Sequence, residues 1–290
     1  SSDVCSSDLA TGGGLITSTS LLANGAAFDD AVELARRHAE LDIGCHLNLV
    51  EGAPLAPPAS VAGLLDASGR FAGANQLALW LLSGRASMEQ IERECAAQVE
   101  RVVAAGIQPS HLDTHQHTHL HPRVARAVAR TARRFGIAWV RRPFESFAPA
   151  GQGKLKRRVL AEGLKLLAVP FDSVMASASL RTTRHFTGFV LTGRLTAETL
   201  RLTLEQMPEG TTELMCHPGY DDATLAGAST NLRQSRQHEL DALRDPRVLA
   251  TLADRGIMLG SFRELAAGTG QVTGNAESPV VAGQAEAGRM

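Results

Sequence analysis

The sequence predicts an α/β fold in which parallel β-strands alternate with α-helices, as an open sheet or a closed barrel. Short apolar or β-branched stretches alternate with amphipathic stretches from Gly14 onward. Of the 290 residues, 44% are apolar and 20% are charged, which suits one large globular domain. His46, His115 and His217 each lie near the end of a predicted strand, and the carboxyl ends of parallel strands meet at one edge of a sheet.

The individual elements follow from local signals. Asp29 or Asp30 can cap a first helix, Ser87 and Gln90 form a capping box, and Pro122 suits the first turn of a later helix. The predicted strands cover residues 15–22, 41–49, 108–115, 137–140, 169–175, 213–216 and 257–259. The predicted helices cover residues 29–38, 88–105, 122–135, 197–207 and 246–254.

The two ends of the chain differ from the rest. Residues 1–9, SSDVCSSDL, repeat SSD and have neither the charged nor the apolar region of a secretory signal. We expect them to be a non-native or disordered start. Residues 10–267 are predicted to form a single α/β domain. Residues 268–290 are rich in Gly, Ala and Glu without periodicity, which predicts a disordered tail.

Composition also excludes several classes of partner. No apolar run approaches the roughly 18 residues of a membrane span. A net charge of −1, with no basic block longer than residues 154–158, argues against a nucleic-acid partner. The four cysteines have no CxxC spacing, which indicates a reducing compartment. The missing signal predicts a cytoplasmic location.

The densest chemical signal is HLDTHQHTHLHP, residues 111–122. In an extended chain, six side chains of this segment would face one side: His111, Asp113, His115, His117, His119 and His121. So many polar groups cannot be buried together without partners, because each unpaired group costs a few kcal/mol. A divalent metal would satisfy them, whereas a solvated loop or a surface tract is the alternative interpretation.

Two further histidines fit the same edge of the sheet. His46 lies near the end of a predicted strand, and Gly44 on the same face indicates close approach by another group. His217 ends an apolar strand and precedes a Pro-Gly turn. A structural role is the alternative for His46, because an isolated strand histidine is more often structural than ligating.

The segments LITSTSLLANG, GCHLNL, HLDTHQHTHLHP, ELMCHPGYDD and GIMLGSFREL resemble, in order and spacing, the YdjC-like carbohydrate deacetylases over residues 10–265. The resemblance implies a distorted (β/α) barrel of TIM type and hydrolysis of N-acetyl groups on amino sugars. It also implies a divalent metal held by one aspartate and two histidines, with Mg²⁺ first and Zn²⁺ second. The matching positions are His46 and His115 as metal ligands and His217 as the catalytic acid.

The chain departs from this family at its front. Members open with a strand that ends in an ADDFG-type motif, in which one aspartate binds the metal and its neighbour resembles the catalytic base. No such motif is present here. Neither Asp3 nor Asp8 is assigned that role. The expectation is a barrel without its native first strand, which binds metal weakly and has little activity.

Supporting residues are less certain from sequence. Asp113 and His117 are predicted to orient the metal ligands, although Asp113 also fits a loop cap. Arg141, Arg142 and the loop of residues 51–71 are candidates for lining the sugar site, with a solvated strand end as the alternative for the two arginines.

Two other functions compete with deacetylation. A metal-dependent phosphoesterase or amidohydrolase would hold two or three ions, with His117 and His119 as spare ligands. A non-catalytic sugar-binding barrel would need aromatic side chains that stack on the sugar, and the chain is poor in them, with two Trp, one Tyr and nine Phe. The expected partner is an acetylated amino sugar, without nucleic acid or a membrane span, and a homo-oligomer is compatible with the sequence.

Overall fold

The computed structural model describes residues 14–221 and 232–267, and the backbone of 280–286. The strands in these ranges are β1 (Ser18–Leu21), β2 (Asp42–Leu47), β3 (His111–Thr114), β4 (Trp139–Val140), β5 (His185–Thr187), β6 (Thr211–Cys216), β7 (Met258–Leu259) and β8 (Val280–Glu286). The helices are α1 (Phe28–Arg37), α2 (Ala74–Ser83), α3 (Met88–Ala104), α4 (Pro122–Arg134), α5 (Leu155–Leu164), α6 (Ala168–Ser177), α7 (Ala197–Glu205), α8 (Gln234–Ala242), α9 (Pro246–Asp254) and α10 (Phe262–Ala267). Short 3₁₀ turns cover Pro58–Ser60, Ala62–Leu64, His115–Leu120 and Lys165–Leu167.

Within the described residues, all strand pairs are parallel and form one eight-stranded sheet. The strand order is β4-β3-β2-β1-β8-β6-β5, with β7 also paired to β8. This confirms the predicted α/β class. Strand pairing does not join β4 to β5, so it does not close a barrel in this part of the chain. Loop backbone bridges that gap in part, because Val140 N–H donates to the Arg181 carbonyl (3.0 Å) and Ser146 N–H to the Phe186 carbonyl (2.8 Å).

The core lies between the sheet and the helices that cover it. Strands β1, β2 and β3 are buried along their whole length. Helices α3 and α4 bury one apolar face each, including Ile91 and Val99 on α3 and Val124 and Val128 on α4. The predicted capping box is confirmed, since Ser87 Oγ accepts from Gln90 N–H (3.3 Å) and Gln90 Oε1 from Ser87 N–H (3.4 Å).

Gly44 marks a close approach, as predicted. A Cβ atom at this position would lie 2.4 Å from the ring of His111 on the neighbouring strand. The missing side chain therefore makes room for a buried imidazole between β2 and β3.

The strand predicted over residues 169–175 is wrong, because this segment is the helix α6. Phe171 and Met175 are its buried side chains, four residues apart and therefore on one helix face. A short apolar run does not distinguish a strand from a buried helix by periodicity alone. The strand in this part of the chain is β5, which the sequence analysis missed.

The tail predicted to be disordered contains β8, so the prediction is wrong for Val280–Glu286. This strand lies between β1 and β6, with Gln284 opposite Ser18 and Val280 opposite Thr211. The start at residues 1–9, and positions 268–279 and 287–290 of the tail, lie outside the described residues. No helix in the described ranges is both long and apolar enough to cross a bilayer.

Candidate metal and catalytic site

Two predicted ligands converge at the carboxyl edge of the sheet. His46 is the penultimate residue of β2, and its Nε2 lies 3.1 Å from Nδ1 of His115, just beyond β3. The rings meet edge to face, with centroids 5.3 Å apart. Two nitrogens about 2.1 Å from one ion, at angles of about 90° to 109°, lie roughly 3.0–3.4 Å apart. The two nitrogens are within hydrogen-bond distance in this structure, and their separation also matches that of two ligands of a single metal ion.

The turn after β3 directs His115 toward His46. The strand ends at Thr114, whose Oγ1 accepts from His119 N–H (3.1 Å). Gln116 and His117 then adopt left-handed backbone with φ of 53° and 52°, which costs on the order of 1–3 kcal/mol each. The common face predicted for His111 to His121 is therefore wrong beyond Thr114, because the chain leaves the extended conformation there.

Asp113 holds the other side of the His46 ring. Its Oδ2 accepts from His46 Nδ1–H (2.8 Å) and lies 2.7 Å from Nη1 of Arg141. The bond to Nδ1 leaves the lone pair of Nε2 directed at His115. The second ring N–H of a metal-binding histidine commonly donates a hydrogen bond to a carboxylate in this way. The structure thus brings Asp113 to the position that the predicted orienting role requires.

Arg141 is wrongly predicted both as a sugar-site residue and as a solvated strand end. It is fully buried and bridges Asp113 to Glu213, whose Oε1 accepts from Arg141 Nε (2.6 Å). Arg142 instead makes two 2.8 Å hydrogen bonds to Asp172 on α6. Glu213 was not predicted from the sequence, although a carboxylate inside an apolar strand indicates a buried ionic partner.

His117 lies in an aromatic cluster. Its ring packs against Phe186 and Phe189, with centroids 5.9 and 5.8 Å away. Its role in orienting the ligands stays a prediction. The loop of residues 51–71 does reach the site through its first residue, because Glu51 Oε1 lies 3.6 Å from His115 Nε2.

The other histidines of the tract have structural roles. His119 is buried between Thr114 Oγ1 and the Arg141 carbonyl, 3.0 Å from its Nε2. His111 is buried between Ser20 and Ser110. Burial lowers the pKa of both His111 and His119 to about 4, so both are neutral at pH 7. The multi-ion interpretation loses His119 as a spare ligand, because both of its ring nitrogens are hydrogen-bonded inside the protein.

His121 lies outside this buried group. Its Nδ1 caps α4 by accepting from Arg123 N–H (3.2 Å).

The catalytic-acid candidate His217 follows β6 directly. Its backbone N–H donates to Oε2 of Glu239 on α8, and its Nδ1 lies 3.9 Å from the same oxygen. Glu239 Oε1 accepts from Gly193 N–H (3.2 Å), and burial raises the pKa of this carboxyl group. The carboxylate fixes the loop that carries His217. Glu239, whose acidic side chain lies on the buried face of α8, was not predicted from the sequence.

The side chains around His46 and His115 fit a metal ion in part. Among the described residues, no group of three or more His, Cys, Asp or Glu side chains is arranged to hold one. His46 and His115 provide two converging nitrogens, with a carboxylate behind His46. The described residues therefore offer two imidazole ligands to a metal ion, and a complete site needs at least one further donor.

Comparison with known proteins supports the motif resemblance. The family model described as YdjC-like protein matches residues 10–254. A carbohydrate deacetylase of Mus musculus is 33% identical over 87% of this chain and 86% of its own length. A chitooligosaccharide deacetylase of Klebsiella pneumoniae (strain 342) is also 33% identical, over 87% and 89% of the two chains. A carbohydrate deacetylase of Geobacillus stearothermophilus is 33% identical over 87% of each.

A solved structure shows the same fold. It comes from Enterococcus faecalis V583 and is described as a candidate cellobiose-phosphate cleavage protein, with a TM-score of 0.70 and 21% identity. The match covers 91% of this chain and 92% of that one. The family model and the three relatives, taken with the paired motifs around His46 and His115, show that this chain belongs to the YdjC-like family.

Proposed function

We propose that this chain removes N-acetyl groups from an amino sugar or amino-sugar oligosaccharide by metal-dependent hydrolysis. The observation that carries the proposal is the convergence of His46 Nε2 and His115 Nδ1, 3.1 Å apart, with Asp113 behind His46. Relatives at 33% identity are named carbohydrate and chitooligosaccharide deacetylases, which supports the reaction class. The site lies at the carboxyl edge of the sheet, within what we propose to be a distorted (β/α) barrel.

His46 and His115 are the proposed ligands. A bound divalent ion would polarise the acetyl carbonyl and lower the pKa of a water molecule. The family resemblance implies Mg²⁺, but Mg²⁺ prefers oxygen donors, and imidazole pairs are more typical of Zn²⁺ and neighbouring ions. The donor chemistry of this chain therefore favours Zn²⁺.

The chain's own residues divide the remaining work. Asp113 keeps the proton of His46 on Nδ1, so that Nε2 presents a lone pair. His217 would give a proton to the departing amine nitrogen, a general-acid step worth typically about 10²- to 10⁴-fold in rate. Glu239 keeps the His217 backbone in place through its hydrogen bond to the N–H.

We further propose that this chain is a weak member of its reaction class. The described residues supply two imidazole ligands, whereas catalytic zinc sites typically use three protein ligands. Metal affinity and turnover are therefore expected to fall below those of a site with an additional carboxylate ligand.

The test is acetate release from N-acetylglucosamine oligomers by the full chain with Zn²⁺, Co²⁺ or Mg²⁺. His46→Ala and His115→Ala should abolish measurable release. His38→Ala serves as the matched control, because this histidine pairs with Glu40 after α1, away from the site. Release that survives both ligand substitutions would refute the assignment. Phosphate release from a phosphate monoester without acetate release would favour the phosphoesterase alternative.

A further inference from the structure

An exposed apolar stripe runs along α5 and α6. Its members are Leu155, Val159, Leu160, Leu166 and Val169, which are between 51% and 83% exposed. The backbone stays helical through the 3₁₀ turn Lys165–Leu167 that joins the two helices. Spacings of four, seven and three residues therefore place Leu155, Val159, Leu166 and Val169 on one side of the helical segment.

The stripe is positively charged at its borders. Residues 154–169 contain five basic side chains and one acidic side chain, in a chain whose net charge is −1. Two of the five, Arg157 and Arg158, donate to backbone carbonyls of the protein. Lys154 and Lys156 are exposed beside Leu155. The single acid, Glu162, pairs with Lys165 at 2.8 Å. Apolar residues beside lysine and arginine are typical of helices that lie at the surface of an anionic membrane.

The opposite side of the segment is fixed to the protein. Ala161, Phe171 and Met175 are buried there. Arg158 Nη1 donates to the Pro149 carbonyl (2.9 Å) and the Gln152 carbonyl (3.0 Å). The stripe therefore faces outward because the inner face is held, rather than because the segment is loosely attached.

The segment also borders the candidate site. Arg157 Nη1 donates to the Phe189 carbonyl (2.9 Å), and the guanidinium lies 5.4 Å from the centre of the Phe189 ring. That ring in turn packs against His117. Arg157 and Phe189 thus connect the stripe to His117 through two successive contacts.

We propose that the apolar stripe docks this protein onto an anionic lipid surface. The apolar side chains would enter the boundary between headgroups and acyl chains, and the exposed Lys154 and Lys156 would pair with anionic headgroups. A second copy of the chain is the alternative occupant, which the oligomeric state in the test below distinguishes.

The test is vesicle sedimentation with the full chain, comparing phosphatidylcholine vesicles with vesicles that contain half phosphatidylglycerol. Binding to the anionic vesicles is expected, with at least tenfold weaker binding to the neutral ones and at higher salt. The double substitution Val159→Asp and Leu166→Asp should lower anionic-vesicle binding at least tenfold. Leu82→Asp is the matched control, since Leu82 is 77% exposed on α2, outside the stripe.

Three results would overturn the proposal. One is the absence of binding to anionic vesicles, and another is binding that the double substitution leaves unchanged. The third is a concentration-dependent dimer that the double substitution abolishes, without vesicle binding, which would assign the stripe to contact between copies. Acetate release from a water-soluble oligomer should be the same in the double variant and the parent chain. This separates the docking surface from the proposed function.

Discussion

Asp113 connects the stability of this protein to its proposed metal site. Its Oδ2 contacts both His46 Nδ1 (2.8 Å) and Arg141 Nη1 (2.7 Å), and all three side chains are essentially without solvent access. Asp113→Asn removes the charge while preserving size. The amide can donate to His46 Nδ1, which would move the ring proton to Nε2 and remove the lone pair that faces His115.

Two magnitudes follow from this geometry. Breaking a buried ion pair costs about 3–5 kcal/mol when the remaining charge is left without a partner. Arg141 keeps its pair with Glu213, so the loss should lie at or below the lower end of that range. Loss of the group that orients a metal-binding histidine typically lowers metal affinity about 10- to 100-fold. Asp113→Asn should therefore unfold at a clearly lower urea concentration and bind Zn²⁺ at least tenfold more weakly.

The matched control is Asp172→Asn, which breaks the pair with Arg142. Here the carboxylate is 45% exposed, and such a pair contributes about 0–1 kcal/mol. Urea unfolding and competition with a chromogenic zinc chelator measure the two effects. The reasoning is refuted if Asp113→Asn loses no more stability than Asp172→Asn and keeps the parent's zinc affinity.

Three further predictions concern the fold. The free energy of unfolding should decrease as pH falls from about 6.5 to about 4, by up to about 3 kcal/mol for each of His111 and His119. In this range the two histidines bind protons in the unfolded state, whereas burial keeps their rings neutral in the folded state. Urea melts at pH 7 and 5 measure this, and equal values would contradict it. Gly44→Ala should lower the free energy of unfolding by about 1–3 kcal/mol, because the new Cβ collides with His111. The control Gly163→Ala, with open space around it in α5, should leave stability unchanged or raise it. The reverse order of melting temperatures would be inconsistent with this packing. Removing residues 268–290 should lower the melting temperature and deprotect the β1 amides in hydrogen exchange, because β8 pairs with β1 and β6; unchanged exchange would argue against this pairing.

Much of the site was predictable because parallel strands bring their carboxyl ends together. His46 and His115 could be paired from sequence, since each follows an apolar stretch that ends at the same edge of the sheet. Gly44 indicated the close approach that His111 makes. These inferences needed only the period of a strand and the direction of the chain.

The remainder depends on contacts between distant parts of the chain. The turn after Thr114 relies on the hydrogen bond that His119 N–H donates to Thr114 Oγ1 and on left-handed backbone at Gln116 and His117. A histidine-rich tract indicates neither feature. The burial of Arg141 depends on Glu213, which is 72 residues away. Periodicity could not separate α6 from a strand, and the small residues of β8 gave no strand pattern.

X-ray absorption spectroscopy of the zinc-loaded full chain, with zinc affinity measured on the same samples, tests the His46–His115 metal site most directly. We expect two imidazole ligands in the parent chain and one in either His46→Ala or His115→Ala, with at least tenfold lower affinity. His38→Ala should match the parent. A zinc environment without imidazole, or one that both ligand substitutions leave unchanged, would contradict the assignment of His46 and His115 as the metal-binding pair.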